Sequence, residues 1–246
     1  MDAPPPKLTR DTLFEGRLIC RQHADGYRFS VDPVLLAHFV QPATGSKVLD
    51  LGAGCGVVAL ILAYRTPDLT LCCLELQEQL AALCRTNIRD NHLEQRIEVV
   101  AGDLRQIASL FPPESFDYVL SNPPYRKIGS GRRNPAGEQA IARHELRATL
   151  DDILNAAAFA VKNRGKVALV YPASRLTALI AGLVSHDLTP KRLQMVHGHA
   201  ASPARLVLVE AVKNGGEGLD VLPPFYIYRE VHGRAFSDAM QSLYAP

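Results

Sequence analysis

The chain has 246 residues, 47% of them hydrophobic and 21% charged, with a formal net charge of +2. This length suits one large α/β domain or two small ones, and the composition excludes disorder over the bulk of the chain. So small a positive excess does not by itself indicate a nucleic-acid partner. The longest clearly apolar run, from Val57 to Tyr64, falls well short of the roughly 20 residues that cross a bilayer. The opening MDAPPPKLTR has no apolar stretch of the secretory kind. Cys20, Cys55, Cys72, Cys73 and Cys84 form an odd set without a C-x-x-C spacing. Neither a disulfide framework nor a metal site is therefore expected, and reduced thiols in a cytoplasmic protein are.

In chain order, the first ten residues, with Pro4-Pro5-Pro6, read as a loose leader. Apolar-polar alternation from Arg17 to Ser30, centred on Ala24-Asp25-Gly26, predicts a hairpin, because Asp-Gly tolerates the positive φ of a tight turn. Asp32 is placed to cap a helix beginning at Pro33, with Val34, Leu35, Leu36 and Phe39 facing inward. After Gly45 the rhythm becomes strand, turn, helix. Strands are predicted over 47–51, 69–74, 97–101, 118–121, 166–171, 192–197 and 205–212, and helices over 57–65, 77–91 and 150–162. Apolar strands alternating with helices imply an α/β fold with a seven-stranded, mostly parallel sheet covered on both faces. The last two strands, separated only by residues 198–204, could run antiparallel. One domain is expected, with an N-terminal hairpin-and-helix extension (1–44), a core (45–213) and a tail (214–246) after the loosening at Asn214-Gly215-Gly216-Glu217-Gly218.

The strand Lys47-Val48-Leu49-Asp50-Leu51 runs into Gly52-Ala53-Gly54-Cys55-Gly56 and then a helix. Glycines suit a sharp turn that a ligand approaches where any Cβ would collide. A tight strand-to-helix connection alone would also explain them. Glu75 ends the next strand, where a carboxylate can accept both hydroxyls of a ribose, and Asp103 follows the third strand on the same carboxyl edge. Either could instead be a solvated strand end. A dinucleotide site wants G-x-G-x-x-G/A, and the sixth position here is Val57, which counts against a nicotinamide cofactor.

With Asp50 before the turn and the two carboxylates beyond it, the set resembles the class I S-adenosylmethionine-dependent methyltransferases. That resemblance implies a Rossmann-like core, with Gly52, Gly54 and Gly56 around the amino-acid part of S-adenosylmethionine, Glu75 on its ribose and Asp103 near its adenine. It also places Asp50, Leu76 and Leu104 in the cofactor-binding set and implies no metal.

Asn122-Pro123-Pro124-Tyr125 stands at the end of the fourth predicted strand. Two prolines remove ladder donors, end the strand and stiffen an extended loop. A strand terminator followed by a surface tyrosine is the plainest account; a pocket for a planar amine is the sharper one. An exocyclic amino nitrogen is a poor nucleophile because its lone pair is delocalised into the ring. Accepting both N–H bonds, at the Asn122 side-chain oxygen and the Pro123 carbonyl, favours a pyramidal nitrogen with its lone pair aimed at the methyl group. Positioning in line then supplies most of the catalysis. Tyr125 can stack on the ring, a contact worth roughly 1–3 kcal/mol in single-strand recognition, and a stacked base must be turned out to enter. The tetrapeptide is similar to the motif of amino-group methyltransferases, whose acceptors are adenine N6, guanine N2 or a glutamine amide. By that likeness Asn122, Pro123, Pro124 and Tyr125 are catalytic, and Asn122 also touches the cofactor.

Release-factor glutamine methyltransferases carry a helical domain ahead of the glycine turn, for which residues 1–44 leave little room. DNA adenine enzymes usually add a target-recognition domain, and ribosomal guanine-N2 enzymes a duplicated domain, for which little chain remains after Tyr125. The run Gly26-Tyr27-Arg28-Phe29-Ser30-Val31-Asp32-Pro33-Val34-Leu35-Leu36 resembles the approach segment of the bacterial tRNA(Val) adenine-N6 methyltransferases, which act on the adenine 3′ of the anticodon. Arg143-His144-Glu145-Leu146 extends the likeness. It implies Phe29, Ser30 and Asp32 at the methionine end of the cofactor, although Asp32 is equally explained as a helix cap. Between Ser121 and Leu150 stand Arg126, Lys127, Arg132, Arg133, Arg143 and Arg147 against Glu138 and Glu145. Arg126, Lys127, Arg132 and Arg133 are the candidates for holding RNA phosphates; a solvated loop is the alternative. Lys162, Arg164 and Lys166 read as a helix end.

The expected function is methyl transfer to adenine N6 in RNA, with tRNA favoured. Guanine N2 or a protein glutamine remains as acceptor. A non-catalytic RNA-binding subunit is disfavoured by the intact tetrapeptide, and a nicotinamide-dependent dehydrogenase comes last.

Overall fold

A computed structural model of the chain describes residues 8–24, 30–123, 148–231 and 233–245. It opens on an antiparallel hairpin of β1 (Leu8–Leu13) and β2 (Leu18–His23). Alternation places the turn at Ala24-Asp25-Gly26, but the hairpin turns earlier, through Phe14, Glu15 and Gly16, all at positive φ. A buried ring compensates for that unfavourable backbone: Phe14 is 3% exposed and stacks on Tyr64 with ring centroids 4.4 Å apart. Residues 25–29 lie outside the described residues. Helix α1 (Asp32–Phe39) follows. Asp32 is its first residue rather than its cap, because Val31 already has helical dihedrals and takes the capping position without a side-chain bond.

The central sheet comprises β3 (Lys47–Leu51), β4 (Thr70–Glu75), β5 (Ile97–Ala101), β6 (Phe116–Ser121), β7 (Val161–Pro172), β8 (Leu188–His197) and β9 (Ala204–Lys213). These are the seven strands expected, in the order β8-β9-β7-β6-β3-β4-β5. The run from β7 to β5 is parallel, and β9 is antiparallel to both β7 and β8. Two strands that the sequence pattern does not announce, β10 (Asp220–Val221) and β11 (Phe225–Tyr226), pair with the outer side of β8.

Period-two alternation sorts the strand residues onto two apolar faces. Val48, Leu71, Cys73, Tyr118 and Leu120 meet α1, α2 (Val57–Arg65) and α3 (Glu78–Asp90) on one side. Leu49, Leu51, Cys72, Leu74 and Val119 meet α4 (Ile107–Leu110), α5 (Leu150–Ala160) and α6 (Leu176–Ser185) on the other. Both faces are covered, which is why the strands read as unbroken apolar runs. A short helix, α7 (Asp238–Ser242), sends Met240 into the first of these cores.

Helix α5 stops at Ala160, short of the predicted Lys162, because Val161 turns extended and opens β7 by pairing with Phe116. Lys213 Nζ donates to the carbonyls of Ala158 (2.7 Å) and Val161 (3.2 Å) at that helix end. Helix α6 was not predicted. It buries only Leu179 and Leu183, one turn apart, and Gly182 lets it approach α5, since a Cβ there would lie 2.8 Å from Leu154 Cδ1. Glu210 on reversed β9 is buried and accepts from Tyr118 Oη, from Lys166 Nζ (3.1 Å) and from Arg192 Nη1 (3.4 Å). Unpaired, this carboxylate would be costly; with partners on β6, β7 and β8 it ties β9 into register.

Candidate active site

The carboxyl ends of β3, β4, β5 and β6 share one edge of the sheet, and Gly52, Gly54, Gly56, Glu75, Asp103 and Asn122 lie along it. Gly52, Gly54 and Gly56 have φ of 74°, 59° and 87°, values that side chains other than glycine adopt only under strain. A Cβ at Gly52 or Gly54 would meet nothing within 4 Å, so open space adjoins the turn. At Gly56 a Cβ would come 2.5 Å from Cys84 Sγ, so that glycine also permits close packing of α3. The N–H groups of Gly52 and Ala53 both donate to the Leu74 carbonyl, at 2.8 and 3.1 Å, which fastens the turn to β4.

Glu75 is 6% exposed, and its carboxylate accepts the N–H groups of Gly54 and Gln77, each at 2.9 Å. Leu76, next to it, is left 45% exposed, an apolar surface at the mouth of the same edge. Gly102 N–H donates to the Glu75 carbonyl and brings Asp103 alongside. Asp103 caps the short turn Leu104–Gln106 and is held by the Arg105 guanidinium, with Arg105 Nη2 at 2.5 Å. That hydrogen bond holds its carboxyl below the usual carboxylate range. Leu104 is partly buried against the core under α4, α5 and α6.

Asp50, the penultimate residue of β3, lies on the sheet face that α1, α2 and α3 cover. It is buried, and its Oδ2 has no hydrogen-bond partner among the described residues. Burial, helped by the nearby Glu75 carboxylate, pushes the Asp50 carboxyl up to about 7. The donor set fits S-adenosylmethionine. An orphaned buried carboxyl beside a second carboxylate suits a cationic, hydrogen-bond-donating ligand, and two glycines leave room over the turn.

Leu51 pairs with Ser121, and Ser121 Oγ donates to the Leu51 carbonyl at 2.9 Å. The chain therefore leaves β6 beside the glycine turn, with Asn122 half-buried and Pro123 buried. Ser30 and Asp32 stand at the start of α1, which packs on α2. The Asp32 N–H donates to Ser30 Oγ at 3.3 Å. Burial raises the Asp32 carboxyl, and Arg205, at the start of β9 on the same sheet edge, acts against that rise. Phe29, Pro124, Tyr125, Arg126, Lys127, Arg132 and Arg133 lie outside the described residues, as does Arg143-His144-Glu145-Leu146.

A buried asparagine beneath this edge also escaped the sequence reading. Asn87 on α3, fully buried, exchanges bonds with the backbone of Arg21 (2.7 and 3.1 Å) and donates to the Cys55 carbonyl at 2.9 Å. One turn on, Asn91 does the same with Ile19, at 2.8 and 2.7 Å. The two asparagines stand in for a missing neighbour strand of β2, and Asn87 joins it to the glycine turn. Its signal is a polar residue on the apolar stripe of Leu83, Cys84 and Ile88.

This architecture and its glycine-edged site define the class I methyltransferase fold. A predicted O-methyltransferase from Agrobacterium tumefaciens superposes with a TM-score of 0.70 at 22% identity, covering 86% of this chain and 94% of that one. TrmN from Thermus thermophilus gives a TM-score of 0.53 at 20% identity over 74% of this chain and 48% of that one. The model of the methyltransferase small domain family matches residues 30–174. The tRNA1(Val) (adenine(37)-N6)-methyltransferase of Bacteroides thetaiotaomicron is 30% identical over 193 residues, 77% of this chain and 78% of that protein. Its namesake from Aeromonas salmonicida is 30% identical over 220 residues, 89% of each chain. The chain belongs to the methyltransferase small domain family and is an S-adenosylmethionine-dependent methyltransferase. Among the described residues no helix is long and apolar enough to cross a membrane.

Proposed function

We propose that this enzyme methylates the exocyclic N6 of an adenine in tRNA, beside the anticodon. The observation that carries the reading is the position of Asn122 and Pro123, which leave β6 next to the glycine turn through the Leu51–Ser121 pairing. The names of the relatives from Bacteroides thetaiotaomicron and Aeromonas salmonicida support the acceptor.

S-adenosylmethionine supplies an activated methyl group on a sulfonium. Gly52, Gly54 and Gly56 give the backbone room to approach its amino-acid end, and Asp50 offers an unpartnered carboxyl behind them. Glu75 takes its ribose hydroxyls, and Asp103 and Leu104 sit by the adenine of the cofactor. Ser30 and Asp32, with Phe29, close the methionine end. The Asn122 side-chain oxygen and the Pro123 carbonyl accept the two N–H bonds of the target amine, which frees its lone pair for attack. A strong base is not needed, because the proton leaves only once the nitrogen has become cationic. Tyr125 stacks on the target base, and Arg126, Lys127, Arg132 and Arg133 hold phosphates on either side.

The test is methyl transfer from labelled S-adenosylmethionine to tRNA lacking modifications, with nucleoside analysis of the product. N6-methyladenosine is expected. N2-methylguanosine would keep the chemistry and change the acceptor. Transfer to protein glutamine, with none to tRNA, would overturn the RNA reading.

A further inference from the structure

Past Asn122 the carboxyl edge of the sheet continues through the ends of β7, β8 and β11 and the start of reversed β9. The pairings Ser121–Leu169, Pro172–Leu206, His197–Ala204 and His197–Tyr226 carry it outward strand by strand. Four strand spacings of about 4.8 Å separate β6 from β11, so this half of the edge runs for about 19 Å. Three segments surface along it: 171–175 after β7, 197–205 between β8 and β9, and 225–229 around β11. Together they hold three arginines and two histidines and no Asp or Glu. Arg229 is neutralised by Asp238 at 2.5 Å. Arg175 and Arg205 are exposed and make no ion pair among the described residues. Arg175 lies over the Tyr171 ring, 5.1 Å from its centroid. At the far end the half-buried rings of His197 and Tyr226 stand 5.6 Å apart. The opposite edge of the sheet differs. There Lys162 pairs with Asp117 (2.6 Å), Lys166 with Glu210 (3.1 Å) and Lys213 with Glu114 (3.0 Å).

We propose that this half of the edge is a platform for the RNA: Arg175 and Arg205 hold phosphates of the strand that carries the target, and Tyr226 stacks on a neighbouring base. The proposal rests on the acceptor being tRNA and on the glycine turn being the cofactor site. On that reading Asn122 divides the edge by charge. Toward β3, β4 and β5 stand Asp50, Glu75 and Asp103, which suit a cationic cofactor and repel phosphates. Toward β7, β9, β8 and β11 stand the two arginines, so the nucleotides flanking a turned-out base are drawn that way. A guanidinium over a ring keeps its N–H fork at the rim, where it can grip a phosphate through two bonds. Rings beside arginines favour a nucleic acid over an acidic protein surface, because bases add a stacking face to the phosphate charge. Phosphate contacts fix register without reading sequence. The platform therefore positions the strand, and the choice of base is left to the pocket at Asn122.

The test titrates the full chain into fluorescently labelled tRNA lacking modifications, at several salt concentrations, and follows anisotropy. Arg175→Ala and Arg205→Ala should each weaken binding about 3- to 10-fold at low salt and lower the log–log salt slope by about 0.7–0.9. Arg175→Lys and Arg205→Lys should restore the slope, since a lysine still neutralises a phosphate as a point charge. Tyr226→Ala should weaken binding about 5-fold or more with the slope unchanged, and Tyr226→Phe should bind like the parent. Affinity for S-adenosylmethionine, measured by calorimetry, should stay at the parent value in every variant. Unchanged tRNA affinity and slope in both arginine-to-alanine variants would overturn the platform and leave the tRNA reading intact. Arg205 also acts on the Asp32 carboxyl. A fall in cofactor affinity matching the fall in tRNA affinity for Arg205→Ala would assign that arginine to Asp32 and overturn its place on the platform. A parent protein that binds no tRNA and methylates a protein glutamine would overturn the acceptor reading and the platform with it.

Discussion

Asn87 Nδ2 donates to the carbonyl of Cys55 across 2.9 Å, and the same side chain grips Arg21 on the hairpin. One buried amide thus holds the glycine turn to the N-terminal extension. Asn87→Ala removes the partners of the Arg21 N–H and the Cys55 carbonyl and one of the donors to the Arg21 carbonyl. A loss of roughly 1–3 kcal/mol is expected in urea unfolding. A loss below about 0.5 kcal/mol would mean that the clamp adds nothing beyond ordinary helix packing.

Glu75 serves the turn from the other side, through the N–H groups of Gly54 and Gln77. Glu75→Ala removes both acceptors along with the carboxylate assigned to the ribose. Calorimetry should show S-adenosylmethionine binding weakened about 10- to 100-fold. Unchanged affinity would remove Glu75 from the cofactor site.

Asp50 makes stability depend on pH. Its folded value of about 7 lies above its ordinary value of 3.8, so the folded protein binds the proton more tightly than the unfolded chain does. The stability this group contributes is full below about 4 and is lost as pH rises through about 7. Asp50→Asn abolishes that loss. Without cofactor, the variant should be roughly 1–3 kcal/mol more stable than the parent at pH 8, with the gap closing toward pH 5. Thermal melts at the two pH values decide it, and parallel curves would show that Asp50 does not titrate in this range.

Gly56→Ala meets two obstacles, a φ of 87° and a Cβ 2.5 Å from Cys84 Sγ. It should destabilise by about 2–4 kcal/mol. Cys84→Ala removes only the collision, so the double variant should recover part of the loss. Strict additivity in a double-mutant cycle would show that the sulfur is not the obstacle.

Asn122→Ala separates binding from chemistry. With its oxygen serving the acceptor amine, turnover should fall about 10²- to 10³-fold while cofactor affinity stays within a few-fold. Comparable loss of affinity would make Asn122 a cofactor ligand first.

Much of the sheet was readable from local pattern alone. β3, β5 and α2 begin and end where apolar runs and glycines place them, since each boundary is set by residues adjacent in the chain. The carboxyl edge was readable for the same reason: Gly52, Glu75, Asp103 and Asn122 all terminate strands of one parallel sheet. Arg105, two residues from Asp103, was within reach of such reasoning and was overlooked.

What the sequence by itself determined, then, is the α/β rhythm, the glycine turn and the end of β6 at Asn122-Pro123, because periodicity, backbone freedom and strand termination act over a few neighbouring residues. Only the tertiary structure decided where the hairpin turns and what Asn87 holds. Phe14 tolerates its left-handed backbone only because Tyr64 covers its ring. Cys20, Cys55 and Asn87 come from three separate segments and meet only when α3 packs beneath the glycine turn and β2 lies along it. Contacts of that kind depend on how whole elements pack, and no local run of residues encodes them.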